Sequence, residues 1–131
     1  MERVIIKEVG KKPEIVEVEK VTLEYMQGVV GGLIEIPPLS EALYKRGIDM
    51  VINEEGKLLE LEPNMLVLGD EYEVLDVVVG NILFVANDGE GRTIGLNNQQ
   101  IEDLLNVFNH NLATTNKGLF NYVLVGDDLW I

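Results

Sequence analysis

The chain contains no cysteine, one histidine and one serine, and these shortages exclude several kinds of chemistry. Without thiolates it can form neither a disulfide bond nor a cysteine zinc site, and it has no cysteine nucleophile. The single serine, Ser40, follows Pro37-Pro38-Leu39 and lacks the glycine-flanked turn that exposes a serine nucleophile. We therefore predict no catalytic residue, no bound metal and no cofactor.

Loops that bind phosphate or calcium are also missing. Gly31-Gly32 is not followed by the Lys-Ser or Lys-Thr pair of a phosphate-binding loop. From Asp88, the fifth position of a calcium loop is Arg92, a cation where an oxygen ligand is needed, and the twelfth is Gln99, where a bidentate glutamate should close the loop. We predict a hairpin turn at residues 87–91.

Positive charge is scarce: ten basic residues stand against 23 acidic ones, giving a net charge of −13. Residues 1–20 hold five of each sign, so the whole excess lies in the remaining chain. Such a field repels nucleic-acid phosphates and anionic membranes. No apolar run approaches the roughly 20 residues of a membrane span. Lys7-Glu8 end the N-terminal apolar run after three residues, which is too short for a secretory signal. We expect a cytoplasmic protein that binds neither nucleic acid nor membrane.

The acidic residues are concentrated between positions 54 and 76, where eight of them accompany Lys57 alone. If several share one face, they can imitate a phosphate backbone and occupy a basic groove on a partner protein. The alternative is a solvated rim of loops that only favours solubility. The predicted partner-binding residues are Glu54, Glu55, Asp70, Glu71, Glu73 and Asp76.

Two segments have helical signals. Thr22 can cap a helix over 23–30, which Gly31-Gly32 would end. A second helix over 98–108 begins with Asn97 and Gln100 in the arrangement of a capping box. Its apolar positions recur at helical spacing and predict a buried stripe of Ile101, Leu104, Leu105 and Phe108.

Most other segments resemble strands. An opening hairpin spans 3–8 and 14–19, further strands are predicted at 33–36, 48–53, 73–79, 81–86 and 92–96, and 65–70 is predicted to be irregular. These elements predict one α+β domain over 1–131, in which a single antiparallel or mixed sheet is packed by two helices.

Residues 110–131 form a C-terminal extension with an extra strand at 119–125. Phe120, Tyr122 and Trp130 make this tail too apolar for disorder. We expect the strand to pair with the chain's own sheet; the alternative is a homodimer formed through this strand at the edge of a second copy's sheet.

A family resemblance covers residues 1 to about 108. It rests on Gly10-Lys11-Lys12-Pro13-Glu14, Val30-Gly31-Gly32-Leu33-Ile34-Glu35, Asn53-Glu54-Glu55-Gly56-Lys57-Leu58 and Gly80-Asn81-Ile82-Leu83-Phe84-Val85, taken in this order. These segments resemble the bacterial and phage family called domain of unknown function 3846. The resemblance implies a small cytoplasmic protein of phages and mobile elements, and it supplies no catalytic residue.

The sequence therefore favours a non-enzymatic accessory protein that binds an unknown protein of the host or of the element. A sharper form of this hypothesis is a counter-defence or regulatory factor that mimics nucleic acid. The competing hypothesis is a small-molecule-binding or catalytic domain with a pocket at the junction of sheet and helix.

Overall fold

The computed structural model describes residues 1–129, which form ten strands and three short helices. The strands are β1 (Glu2–Lys7), β2 (Glu14–Val18), β3 (Ile34–Glu35), β4 (Ile48–Asn53), β5 (Pro63–Leu68), β6 (Val74–Val79), β7 (Ile82–Asn87), β8 (Thr93–Ile94), β9 (Leu112–Thr115) and β10 (Gly118–Leu124). The helices are α1 (Leu23–Val30), α2 (Glu41–Lys45) and α3 (Asn98–His110).

The first sheet has the strand order β2-β1-β7-β4-β3, and β8 pairs with the end of β7. All of its neighbouring strands are antiparallel. The predicted opening hairpin is confirmed as the β1–β2 pair. Strand β7 lies in the interior of the sheet, and its residues from Ile82 to Ala86 are all buried, as expected for a strand covered on both faces.

The second sheet has the order β6-β5-β10-β9. Strands β5 and β10 are parallel, whereas the outer pairs are antiparallel. Strand β6 therefore forms one edge of this sheet. The same sheet contains the C-terminal strand, because β10 lies between β5 and β9.

The core has two main parts, on opposite faces of the first sheet. One face packs Val4, Val51, Leu83 and Val85 against Met26 and Val30 of α1. The other face packs against the second sheet, α2 and α3 in the largest apolar cluster. Its most completely buried members include Ile5, Met65, Ile82, Phe84, Leu104 and Val107.

The prediction of a single sheet packed by two helices is wrong. The described residues form two sheets, of six and four strands, and strands outnumber helices by ten to three. The segment 65–70, predicted to be irregular, supplies most of β5. It was missed because Met65 to Leu68 are buried without alternation, so the periodicity of a half-exposed strand is absent.

The helix boundaries follow local signals. The Thr22 hydroxyl accepts a hydrogen bond from the Tyr25 N–H, and Gly31 ends α1 at φ 81°, a left-handed conformation that glycine adopts without a Cβ clash. The capping box of α3 is confirmed, with both Asn97–Gln100 hydrogen bonds present. The buried stripe of α3 differs from the prediction at two positions, since Val107 is buried and Leu105 is half-buried.

Asn64 links the two sheets through side-chain hydrogen bonds. It is 3% exposed, its Oδ1 accepts a hydrogen bond from Lys7 Nζ at 3.0 Å, and its Nδ2 donates to the carbonyls of Lys7 and Gly80 at 2.8 Å. Burial lowers the pKa of Lys7, because the charged ammonium loses hydration. The Asn64 amide replaces part of that hydration.

The tail prediction is confirmed as far as the structure describes it. Asn121 to Leu124 pair with β5, and Gly118 to Asn121 pair with β9, so β10 belongs to the chain's own sheet. The homodimer through this strand stays a prediction. Trp130 lies outside the described residues.

Candidate functional site

The predicted partner-binding residues follow the open edge of β6 and the loops beside it. The 54–60 loop lies against β6 through Lys57 and Gly56, and the 69–73 loop leads into the first residue of β6. We call this surface the acidic margin; it comprises Glu54, Glu55, Asp70, Glu71, Glu73 and Asp76. Asp76 is half-buried and the other five are exposed.

The 54–60 loop is fixed by Asn53, the last residue of β4. Asn53 is buried, its Oδ1 accepts from the Glu55 N–H at 2.8 Å, and its Nδ2 donates to the Val30 carbonyl at 3.1 Å. Gly56 approaches β6 so closely that a Cβ there would lie 2.9 Å from a Val79 methyl. The loop that carries Glu54 and Glu55 is therefore held against the end of β6.

A compact turn presents the acids of the 69–73 loop. The Gly69 N–H donates to the Glu73 carbonyl at 2.9 Å, and the Tyr72 N–H donates to the Gly69 carbonyl at 3.0 Å. The Glu73 carboxylate accepts from the Glu71 N–H at 3.2 Å. Asp70 faces the other way along the molecule, since it borders a hollow with Asp127 and Asp128 at the end of β10.

Lys57 and Asp76 form the margin's only ion pair within residues 1–129. The hydrogen bond from Lys57 lowers the pKa of Asp76, and the Val77 N–H, which donates to the same carboxylate at 2.8 Å, lowers it further. This N–H belongs to the edge strand β6, so the Asp76 carboxylate satisfies one backbone donor of that strand. The five other acids of the margin keep an uncompensated charge.

The margin also exposes apolar side chains, which the charge argument did not predict. Five of the 14 exposed large apolar residues in the described chain lie between positions 58 and 75. They are Leu58, Leu59, Tyr72, Val74 and Leu75, and their exposed fractions run from 48% to 79%. These residues alternate with acids in the sequence, and this alternation could have predicted the exposed apolar surface. Exposed apolar side chains that are interspersed with acids along one segment make that segment a candidate for a protein contact.

A groove opens in the margin between the edges of the two sheets. Its cavity volume is about 150 Å³, and it lies between β3, the end of β4, the 54–58 segment and β6. We call it the edge groove. Its apolar walls include Pro37, Leu39, Ile52, Leu58 and Val77 to Val79, and its rim carries Glu35, Glu54, Lys57 and Asp76. Glu35 was missed because it lies outside the acidic stretch of the sequence.

A larger polar depression lies at the junction of β4, α2 and α3, where the competing hypothesis placed a pocket. Its volume is about 750 Å³, and its lining includes Arg46, Asp49, Asn87, Asp88 and Arg92. Burial raises the pKa of Asp49, whose carboxylate accepts from Asn87 Nδ2 at 3.3 Å.

The cations of this depression are already engaged. Arg46 pairs with Asp103 at 3.4 Å, and Arg92 pairs with Asp88 at 2.7 Å and holds the pKa of that carboxyl at about 2. Lys45, the third cation of the lining, pairs with Glu41 and Asp127. Convergent polar groups free to meet a ligand are the mark of a small-molecule site. Here the cations bind the protein's own carboxylates, so this depression is the weaker candidate.

The remaining residues singled out from the sequence have local roles. The Ser40 hydroxyl caps α2 by accepting from the Leu43 N–H at 3.4 Å. His110 is the last residue of α3, and its Nδ1 lies 2.8 Å from the Asn106 carbonyl oxygen. Within residues 1–129, three or more carboxylate or imidazole groups nowhere meet in a way that could hold a metal ion. Over the same residues, each helix is too short or too polar to cross a membrane.

The comparison with protein families matches residues 1–109 to the model described as Domain of unknown function (DUF3846). The chain belongs to this family. The match includes β1 to β8 and nearly all of α3, and therefore every residue of the acidic margin and the edge groove. Strands β9 and β10 lie beyond it. Neither the curated proteins nor the solved structures contain a match to this chain.

Proposed function

We propose that this DUF3846 protein acts by binding another protein through the acidic margin. The observation that carries the proposal is the alternation of exposed apolar side chains with carboxylates that have no ion-pair partner among the described residues. A surface that served solubility alone would need only the charges. Exposed Leu58, Val74 and Leu75 lower solubility unless a partner covers them.

The finer form of the proposal is an accessory protein of a phage or mobile element that acts as a counter-defence or regulatory factor. Strand β6 has six residues and so a length of about 20 Å, at about 3.3 Å per residue. Glu54, Glu55, Glu71 and Glu73 are the margin acids that are neither paired with Lys57 nor turned toward Asp127, and over such a length these four give about one charge per 5 Å, within a factor of two of the 3.4 Å spacing of charges along one DNA strand. This density supports the idea that the margin occupies the nucleic-acid groove of a basic partner.

The test compares two variants with equal net charge. The margin variant carries Glu54→Gln, Asp70→Asn, Glu71→Gln and Glu73→Gln. The control variant carries Glu14→Gln, Glu17→Gln, Glu19→Gln and Glu102→Gln, which are exposed residues outside the margin. Each immobilised protein is exposed to host lysate at about 0.05 M and at about 0.5 M salt, and captured proteins are quantified.

We expect the wild type and the control variant to retain the same basic protein at low salt and to release it at high salt, because screening weakens charge contacts. The margin variant should fail to retain it. The proposal is wrong if both variants retain the partner equally, or if salt has no effect on retention. Loss in both variants would show that net charge, and not the margin, attracts the partner.

A further inference from the structure

The edge groove, which lies within the acidic margin, combines an apolar interior with a charged rim. Its cavity of about 150 Å³ has apolar walls, and two of the four charged groups at its rim, Glu35 and Glu54, have no ion-pair partner among the described residues. The other two, Lys57 and Asp76, neutralise each other. The rim therefore carries an uncompensated charge of about two negative units above an apolar interior.

We infer that the edge groove receives one arginine side chain of the partner protein. This inference rests on the proposed function and names its central contact. An engineered cavity of similar volume holds a molecule of benzene, so the groove accommodates the aliphatic stem of an arginine and part of its guanidinium plane. The stem would lie against Leu39, Ile52 and Val78, and the guanidinium would meet the rim carboxylates.

Other side chains suit this groove less well. A leucine or phenylalanine would fill the walls but would remove water from Glu35 and Glu54 without replacing it, and unpaired carboxylates resist such desolvation. A lysine supplies the charge, but its ammonium is compact and strongly hydrated. A guanidinium is planar, more weakly hydrated and able to bind two carboxylates through its fork of N–H donors. Arginine is also among the residues that most often dominate protein contacts.

The probe for this inference is blocked arginine, Nα-acetyl-arginine methylamide. Its neutral analogue of equal shape is blocked citrulline, and blocked lysine tests a positive charge without the planar guanidinium. Binding is followed through the backbone amide shifts of the 15N-labelled full chain during titration. The variants are Glu54→Gln and Glu35→Gln at the rim, with Glu71→Gln as the control, because Glu71 belongs to the margin and not to the groove.

We expect saturable shifts with blocked arginine that concentrate on residues 52–58 and 76–79. Blocked citrulline should produce no saturable shifts, and blocked lysine should bind more weakly. Each rim variant should weaken the arginine affinity about three- to fivefold, as expected for one partly exposed charge contact, whereas Glu71→Gln should leave it unchanged. All three positions are exposed, so the variants should stay folded, and the dispersion of the same spectra verifies this.

The inference is wrong if citrulline matches arginine, if shifts spread over the whole acidic surface, or if Glu71→Gln weakens binding as much as Glu54→Gln. Those results would leave the proposed function intact if the four-residue margin variant still lost its partner in the lysate experiment. In that case the partner would contact the margin without inserting a side chain. The opposite outcome is also distinguishable. If blocked arginine binds at the groove but both four-residue variants capture the same partner equally well, only the proposed function is contradicted.

Discussion

Replacing Leu104 with alanine tests the layered core most directly. Leu104 lies on the buried face of α3, is 1% exposed, and belongs to the cluster between the first sheet and the second. The change removes three carbon atoms, which corresponds to about 2.4 kcal/mol at about 0.8 kcal/mol per buried CH₂. Incomplete collapse of the resulting cavity adds to this, so we expect a loss of about 3–4 kcal/mol in the free energy of unfolding.

Leu105 supplies the matched control. It is the same residue type in the same helix, but it is half-buried and lies at the border of the cluster. We expect Leu105→Ala to reduce the free energy of unfolding by about 1–1.5 kcal/mol, since roughly half of the transfer term is lost and the site is open to water. The two losses should therefore differ by a factor of two or more.

Urea unfolding followed by circular dichroism measures both losses. The midpoint should fall while the denaturant slope stays constant, which indicates a change in stability and not in compactness. Equal losses for the two variants would refute the orientation of α3. A loss below about 1 kcal/mol for Leu104→Ala would show that α3 does not close the space between the sheets.

Three further predictions address the polar groups and the charge. Asn64→Ala should cost about 2–3 kcal/mol in urea unfolding, because it leaves the buried Lys7 ammonium and two carbonyls without their amide partner, whereas the exposed Asn116→Ala should be neutral. The folded-state pKa of Asp76 is depressed, so the ionised Asp76 stabilises the fold above the unfolded value of 3.8, and this stabilisation is lost as pH falls through the folded pKa. Asp76→Asn should therefore flatten the fall in the free energy of unfolding over this pH range. An unchanged fall would contradict the pairing of Asp76 with Lys57. DNA and RNA should show no measurable binding in fluorescence anisotropy at physiological salt, and micromolar affinity would reveal a basic patch around Lys11 and Lys12.

Helices α1 and α3 were predictable because their signals are local. Thr22, Asn97 and Gln100 each act within three residues, and the capping geometry follows from side-chain chemistry at that distance. The opening hairpin is of the same kind, since Gly10 with φ 71° lies in the turn between its strands. In each case the sequence indicated both the element and the cap or turn residue that bounds it.

The second sheet was not predictable in this way, because its pairing is non-local. Tyr122 lies beside Leu66 in a parallel pair, and nothing within either strand indicates that distant partner. The same limit applies to the site. The acids of the margin were visible as composition, but the edge groove exists only because β3, β4 and β6 meet from different parts of the chain. Glu35 joins Glu54 at its rim through the β3–β4 pairing, which brings Glu35 opposite Ile52.

The uncompensated charge of the margin makes the responses of folding and of binding to salt opposite in sign. Exposed like charges repel one another over about 8 Å at physiological ionic strength and over about 3 Å at 1 M, so salt relieves repulsion within the folded chain. Adding sodium chloride should therefore raise the free energy of unfolding while it lowers the affinity for the partner. The margin variant with four neutralised acids should show a smaller stabilisation by salt than the control variant of equal net charge. Its acids come from a segment with eight acidic residues and one lysine, whereas three of the four control acids come from residues 1–20, where five basic residues balance five acidic ones. If the acids only provide solubility, the two variants should gain equally from salt in urea unfolding, and that result would remove the physical basis for treating the margin as a single surface.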